Sequence, residues 1–206
     1  MAMMTMKSCR AVIAVSQKMQ QELAKSLSPF KNIVVIENML SLKNAAKIRE
    51  ERKTNPVPSN QKIHLIYVGR ISPEKGLLSF LESWGSSPKK DRSRAQELVL
   101  NLGLKDVVKF HGFVADPSAF FQSPDALIMP SLREGLPMTL IEALASGVPV
   151  VANNVGAISS LVKHGQNGFL TKDQTLSSWH DALNETILHV NEWKISAEKE
   201  ASGVEE

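Results

Sequence analysis

Cysteine is nearly absent from this chain: Cys9 is the one such residue among 206. A lone thiol excludes an internal disulfide and a cysteine-built metal cluster, and with nothing nearby to activate it, its expected role is that of a small buried hydrophobe. Aromatic residues make up only 5% of the sequence, and none is interleaved among the basic stretches Lys43, Lys47, Arg49, Arg52, Lys53 and Lys89, Lys90, Arg92, Arg94. Nucleic-acid recognition uses cations alternating with stacking rings, so no nucleic-acid partner is expected and both stretches read as solvated helix or loop. Charge is barely unbalanced, at +3 formally. That leaves an anionic substrate or a peripheral contact with an anionic membrane surface compatible with the chain. Apolar runs are short. None nears the roughly eighteen residues of a membrane span, and Met1-Ala-Met-Met-Thr-Met6 lacks the apolar core of a secretory signal, so the cytoplasm is the expected compartment. His111 has no Asp or Cys at ligand spacing, and no metal site is expected.

What the chain does have is 43% hydrophobic and 22% charged residues, enough for a sizeable core in one domain or a domain with appendages. Short apolar runs alternate with helical stretches. Ala11-Val-Ile-Ala-Val15 reads as a buried strand, Ser16 as the N-cap of a helix over 17–26, and 32–36 as a second strand. A charged helical stretch at 41–53 runs into Thr54-Asn-Pro-Val-Pro-Ser-Asn60, whose prolines mark a linker. His64-Leu-Ile-Tyr-Val68 suits a strand buried on both faces of a parallel sheet. Further helices are expected at 77–84 and 93–102, strands at 107–111, 126–129, 149–152 and 169–171, and a short helix at 117–122. The last helix spans 176–202, with Trp179, Leu183, Ile187 and Val190 as its apolar stripe. This alternation predicts an α/β fold, a Rossmann-like parallel sheet with helices on both faces.

Two loops carry the chemistry. Gly69-Arg70 and Ser72-Pro-Glu-Lys-Gly76 follow a strand and precede a helix, where such sheets hold phosphate. Arg70 can grip two oxygens and Lys75 supplies a point charge. In Ser131-Leu-Arg-Glu-Gly-Leu-Pro-Met-Thr-Leu-Ile-Glu-Ala-Leu-Ala-Ser-Gly-Val-Pro-Val-Val151, a helix opens at Pro137 and ends at Gly147. Glu134 lies in the loop and Glu142 within the helix, on a polar strip with Thr139 and Ser146. Unpaired amides at the helix start attract anions, and Gly135 permits close approach. Either glutamate alone would read as a solvated edge; together in this setting they suit a hydroxyl-rich group joined to phosphate.

Glu134, seven residues and Glu142, followed by Ala143-Leu-Ala-Ser-Gly-Val-Pro-Val-Val151, resembles the signature of retaining glycosyltransferases of the GT-B fold, the group 1 or family 4 enzymes. The resemblance extends over most of 63–191. It implies that 1–60 is a remnant of an N-terminal domain plus hinge, and that 61–206 is the domain binding a nucleotide-diphosphate sugar, UDP- or GDP-linked. The implied reaction moves a hexose to a hydroxyl acceptor, a sugar or a lipid-linked one, with retention and no cofactor, and a separate acceptor-binding domain is an implied partner. By position, Arg70 and Lys75 would neutralise the leaving diphosphate and Glu134 would contact the transferred sugar, these three being the catalytic candidates. Glu142 would hold the ribose, Gly69, Gly135, Leu136, Pro137, Met138 and Thr139 would line the donor, and Gly112 and Phe113 would lie near the base.

The sequence departs from that family in two places. No strand-like run separates Tyr67 from Val107, where the family has one, and Ser159-Ser160 stands where Pro-Glu is common. Neighbouring strands could close up, something else could fill the gap, or the copy is inactive. The alternative readings are a non-catalytic nucleotide-sugar binding module or inactive truncated homologue and, last, a sugar-nucleotide epimerase of related architecture.

Overall fold

The computed structural model describes residues 12–26, 32–40, 50, 63–82 and 91–203. Cys9, Lys43, Lys47, Arg49, Arg52, Lys53, Lys89, Lys90 and the Pro/Asn segment 54–60 lie outside them.

The chain opens with a small β-α-β unit. Strands β1 (Val12–Ala14) and β2 (Ile33–Val35) pair in parallel, and helix α1 (Gln17–Ser26) supplies the crossover that a parallel pair needs. Ser16 caps α1 as expected: the Met19 amide donates to its Oγ at 3.2 Å.

The second sheet holds four parallel strands in the order β3 (Leu65–Ile66), β4 (Ala126–Met129), β5 (Val150–Asn153) and β6 (Gly168–Thr171). Strand alternation sorts the core into two faces. Ala126, Ile128 and Val151 pack with Leu77, Phe80, Val99, Trp179 and Trp193, beneath α2 (Leu77–Glu82), α3 (Asp91–Asn101) and α6 (Leu176–Gly203). Leu127, Met129, Val150 and Ala152 pack with Phe121, Leu140, Ala143 and Ile158, beneath the short 3-10 turn Ser118–Phe121, α4 (Met138–Ala145) and α5 (Ile158–Leu161). The α/β sheet with helices on both faces is therefore as the alternation requires. Rings lock the first face: Phe80 and Trp179 meet edge to face at 4.9 Å, and Phe169 stacks on Trp193 at 6.0 Å.

Three expectations are corrected. Residues 107–111 form no strand: the amides of Val107 and Val108 both turn back to the Leu104 carbonyl, at 3.0 and 2.9 Å, and Val107 is 70% exposed. A strand exists only by pairing, and among the described residues none lies on the far side of β3 to receive one. For the same reason β3 is two residues long and half-buried rather than buried throughout. On α6 the buried stripe runs through Trp179, Ala182, Thr186, Val190, Trp193, Ala197 and Ala201, leaving Ile187 63% exposed. The helix passes close to Gly147: a β-carbon there would sit 2.8 Å from Glu198 Cγ. No described helix is long and apolar enough to cross a membrane.

Candidate functional site

The site forms where the loops after β3, β4 and β5 interlock. Gly76, at φ 66°, has the Pro130 carbonyl oxygen 1.9 Å from where its β-carbon would stand, so the 3-10 turn Pro73–Lys75 rests on the end of β4. The Leu132 amide donates to the Glu74 carbonyl at 2.8 Å. These contacts bring together two candidates that stand 59 residues apart: Lys75 Nζ lies 2.6 Å from Glu134 Oε1. The Glu134 side chain is 8% exposed and that of Lys75 27%, so the pair works in a medium less polarisable than water, with the ammonium at its open side. From below, Gly156 at φ 58° fits under Glu134, and the Ala157 amide donates to the Gly135 carbonyl at 2.9 Å.

Tyr67 holds the Arg70 backbone. The phenol donates to the Arg70 carbonyl at 2.7 Å, and burial first, then the Glu134 charge, push its pKa up, so it remains a donor. Gly69 leaves room for that ring, a β-carbon there standing 3.1 Å from the hydroxyl. Arg70 itself is exposed. Its charge and that of Arg133 reach Glu74, whose carboxyl is held below its ordinary value chiefly by its own amide and the Ser72 hydroxyl.

Gly135 is used differently from the expectation. The space a side chain would take is filled by Val15, whose Cγ2 lies 2.8 Å from the ideal β-carbon, and by Met19 at 3.5 Å. What approaches closely there is the first β-α-β unit, and Asn38 Nδ2 donates to the Leu136 carbonyl at 2.6 Å beside it. Leu136 is itself buried. Pro137 stands one residue before α4, at φ −74° and ψ 134°, so the helix starts at Met138. The Met138 and Thr139 amides belong to the group that an α-helix leaves without internal acceptors.

Glu142 is not in the Lys75–Glu134 pair: among the described residues no contact joins them. It is half-buried on α4, and burial first, then the Asp116 charge, raise its carboxyl pKa. Ser146, expected beside it on a polar strip, is buried and donates its hydroxyl to the Glu142 carbonyl at 2.6 Å. Gly112 takes a left-handed turn at φ 76°, and Phe113 beyond it is 93% exposed, surrounded by solvent rather than by the pair. Asp116, farther along the same loop, adds a like charge that Glu142 feels. His111 packs edge-on against Phe120 at 4.7 Å. Among the described residues no three His, Cys, Asp or Glu side chains gather as a metal site.

Sequence reading passed over Asn153. Its side chain is 1% exposed and fully used: Nδ2 donates to the Pro130 and Ser131 carbonyls at 2.9 and 3.2 Å, and Oδ1 accepts the Thr171 hydroxyl at 2.8 Å. The signal was an amide ending the apolar run Val150-Val-Ala152, where a strand buried on both faces offers no water to satisfy it.

Comparison with known proteins adds the following. The family model for glycosyl transferases group 1 matches residues 47–195. The putative teichuronic acid biosynthesis glycosyltransferase TuaC of Bacillus subtilis is 31% identical over 200 residues, covering 91% of this chain and 49% of that protein. A D-inositol 3-phosphate glycosyltransferase of Paenarthrobacter aurescens is 31% identical over 141 residues, covering 59% of this chain and 35% of that protein. Among solved structures, Anabaena Alr3699/HepE in complex with UDP superposes with a TM-score of 0.74 at 25% identity, over 94% of this chain and 59% of that one. Sucrose-phosphate synthase from Thermosynechococcus elongatus shares the fold, with a TM-score of 0.77 at 22% identity over 97% of this chain and 54% of that one. The chain spans half or less of these two curated relatives.

Proposed function

Because the chain belongs to the group 1 glycosyl transferases, a family whose model covers residues 47–195, we propose that it binds the nucleotide-diphosphate sugar of a retaining hexosyl transfer, as a family 4 enzyme would. Residues 61–206 are the donor-binding part and 1–60 belong to a first domain with its hinge. The observation that carries this reading is the Lys75–Glu134 pair, 2.6 Å apart at the carboxyl ends of adjacent strands and next to the start of α4.

As the bond from sugar to diphosphate breaks, negative charge grows on the phosphate oxygens and positive charge on the anomeric carbon. Arg70, Lys75 and the first amides of α4 offset the former, a fixed arrangement of donors that need not reorganise as charge develops. Cationic side chains do this in place of a divalent metal, and no other cofactor enters. With the donor in place, Glu134 exchanges part of its bond to Lys75 for the sugar hydroxyls, and Glu142 accepts from the ribose. Lining is assigned to Gly69, Gly135, Leu136, Pro137, Met138 and Thr139, and the base to Gly112 and Phe113. Neighbouring structures support the ligand class: Anabaena Alr3699/HepE was crystallised with UDP-glucose, and TarM with UDP and an α-GlcNAc-glycerol. The acceptor hydroxyl, on a sugar or a lipid-linked carrier, is bound together with a separate acceptor domain.

Titration calorimetry of the purified chain with UDP-, GDP- and ADP-sugars tests the reading; no binding at millimolar ligand overturns it. A second reading, a nucleotide-sugar binder without turnover, is favoured by the edge position of β3, beyond which no strand pairs among the described residues. Release of free nucleotide on adding an acceptor separates the two.

A further inference from the structure

We propose that Asn153 is a positioning residue for the donor site: it fixes the Pro130-Ser131 corner through which Lys75 and Glu134 are brought within reach of each other. The proposal rests on the donor-site reading above for its functional consequence, and on geometry alone for its mechanism.

The corner has to satisfy two demands. The Pro130 carbonyl is the surface on which Gly76 rests, and Gly76 follows Lys75 directly. Ser131 begins the loop that reaches Glu134 three residues later. Both carbonyls lie just beyond the last ladder residue of β4, Met129, where the sheet no longer supplies amide donors. Asn153 supplies them from β5, one amide group bridging two successive carbonyls at 2.9 and 3.2 Å. Its own orientation is set from β6, because its Oδ1 accepts the Thr171 hydroxyl at 2.8 Å. Asn153 and Thr171 are each 1% exposed, so no water competes for these bonds. Three strands are thus tied at their carboxyl ends beneath the functional loop. An amide suits this place because its nitrogen offers two N–H donors, one for each carbonyl, and its separate oxygen accepts from Thr171. Removing it frees the corner to rotate, and both ends of the Lys75–Glu134 pair depend on that corner.

The test uses the full chain. A double-mutant cycle on reversible unfolding with Lys75→Ala and Glu134→Gln measures the coupling of the pair without ligand. We expect that coupling to vanish in an Asn153→Leu background, which keeps side-chain shape but removes both polar functions. Affinity for whichever of UDP, GDP and ADP the native chain binds tightest should fall by about tenfold to a hundredfold, the scale for removing groups that orient a site's ligating residues. In an Asn153→Leu, Lys75→Ala chain the loss should be less than the product of the single losses. Thr171→Val should weaken coupling and affinity in the same direction, and Thr171→Ser should restore both. Thr186→Val is the control for mere destabilisation: it removes a buried hydroxyl bonded to the Ala182 carbonyl within α6 and should leave coupling and affinity unchanged. Native coupling in Asn153→Leu overturns the proposal; if that variant does not fold, native coupling in Thr171→Val does. If the native chain binds no nucleotide, the donor-site reading fails, while the coupling cycle still decides the role of Asn153.

Discussion

The carbonyl oxygen of Glu134 lies 2.0 Å from the point where a β-carbon on Gly156 would begin. Two loops from neighbouring strands therefore touch backbone to backbone, and the height of the candidate carboxylate over the sheet is set by the absence of one methyl group.

Gly156→Ala should be severe, because it adds an overlap with backbone that cannot yield to the strain of φ 58°. Gly165 has φ 77° and nothing within 4 Å of its ideal β-carbon. Gly165→Ala should lose only the left-handed backbone cost of about 1–2 kcal/mol, and Gly156→Ala clearly more, with weakened nucleotide binding. Urea unfolding of both variants checks this. Equal losses would mean that the loop over Gly156 shifts freely.

Lys75→Ala leaves Glu134 without its cation in a mostly buried position, so it should destabilise the fold by roughly 1–3 kcal/mol. Donor affinity should fall by about 1.5–3 kcal/mol, the range for hydrogen bonds to charged groups, and Glu142→Ala should weaken binding on the same scale. Calorimetric titration beside thermal melts reads both quantities. Unchanged affinity in both variants would remove the proposed site.

The carboxyl of Glu142 titrates above its ordinary value because burial and the Asp116 charge disfavour the anion. The folded chain then binds its proton more readily than the unfolded one, so this group contributes stability as pH falls through its folded pKa and opposes folding above it. Glu142→Gln should accordingly raise the melting temperature at pH 7 and lose that advantage toward pH 4, near the ordinary glutamate value of about 4.3. The same variant should bind donor less tightly. A melting temperature unchanged at both pH values would contradict the assigned surroundings.

Gly135→Ala should be costly for a different reason, since its backbone is not left-handed and the obstacle is a side-chain tip, Val15 Cγ2 at 2.8 Å. Overpacking of this kind costs about 1–3 kcal/mol. Val15→Ala in the same chain should recover part of it, as measured by chemical unfolding. No recovery would mean that the β-α-β unit does not seat on this loop in solution.

Much of the architecture is encoded locally. The unbroken apolar runs Ala126-Leu-Ile-Met129 and Val150-Val-Ala152 dictate strands buried on both sides, and Ser16, Pro137, Gly103 and Gly147 mark where helices start and stop. These features act over a few residues, so they can be read in order along the chain. Candidate loops at strand ends follow from the same runs, whereas the signature around Glu134 and Glu142 was read as a resemblance to a family.

Other features were decided by partners distant in sequence. Residues 107–111 have strand composition but turn back on Leu104, because a ladder needs a neighbour beyond β3. Helix α6 buries Ala182 and Ala197 along with Trp179 and Trp193 and leaves Ile187 exposed, because the face turned to the sheet is set by docking against distant elements. Gly135 serves Val15, and Asn153 reaches back 23 residues to Pro130. Residue order determined which elements form and where chemistry could collect. Packing across the sheet ends determined which charges meet, since a separation of 2.6 Å across 59 residues is a property of interlocking backbones and not of spacing.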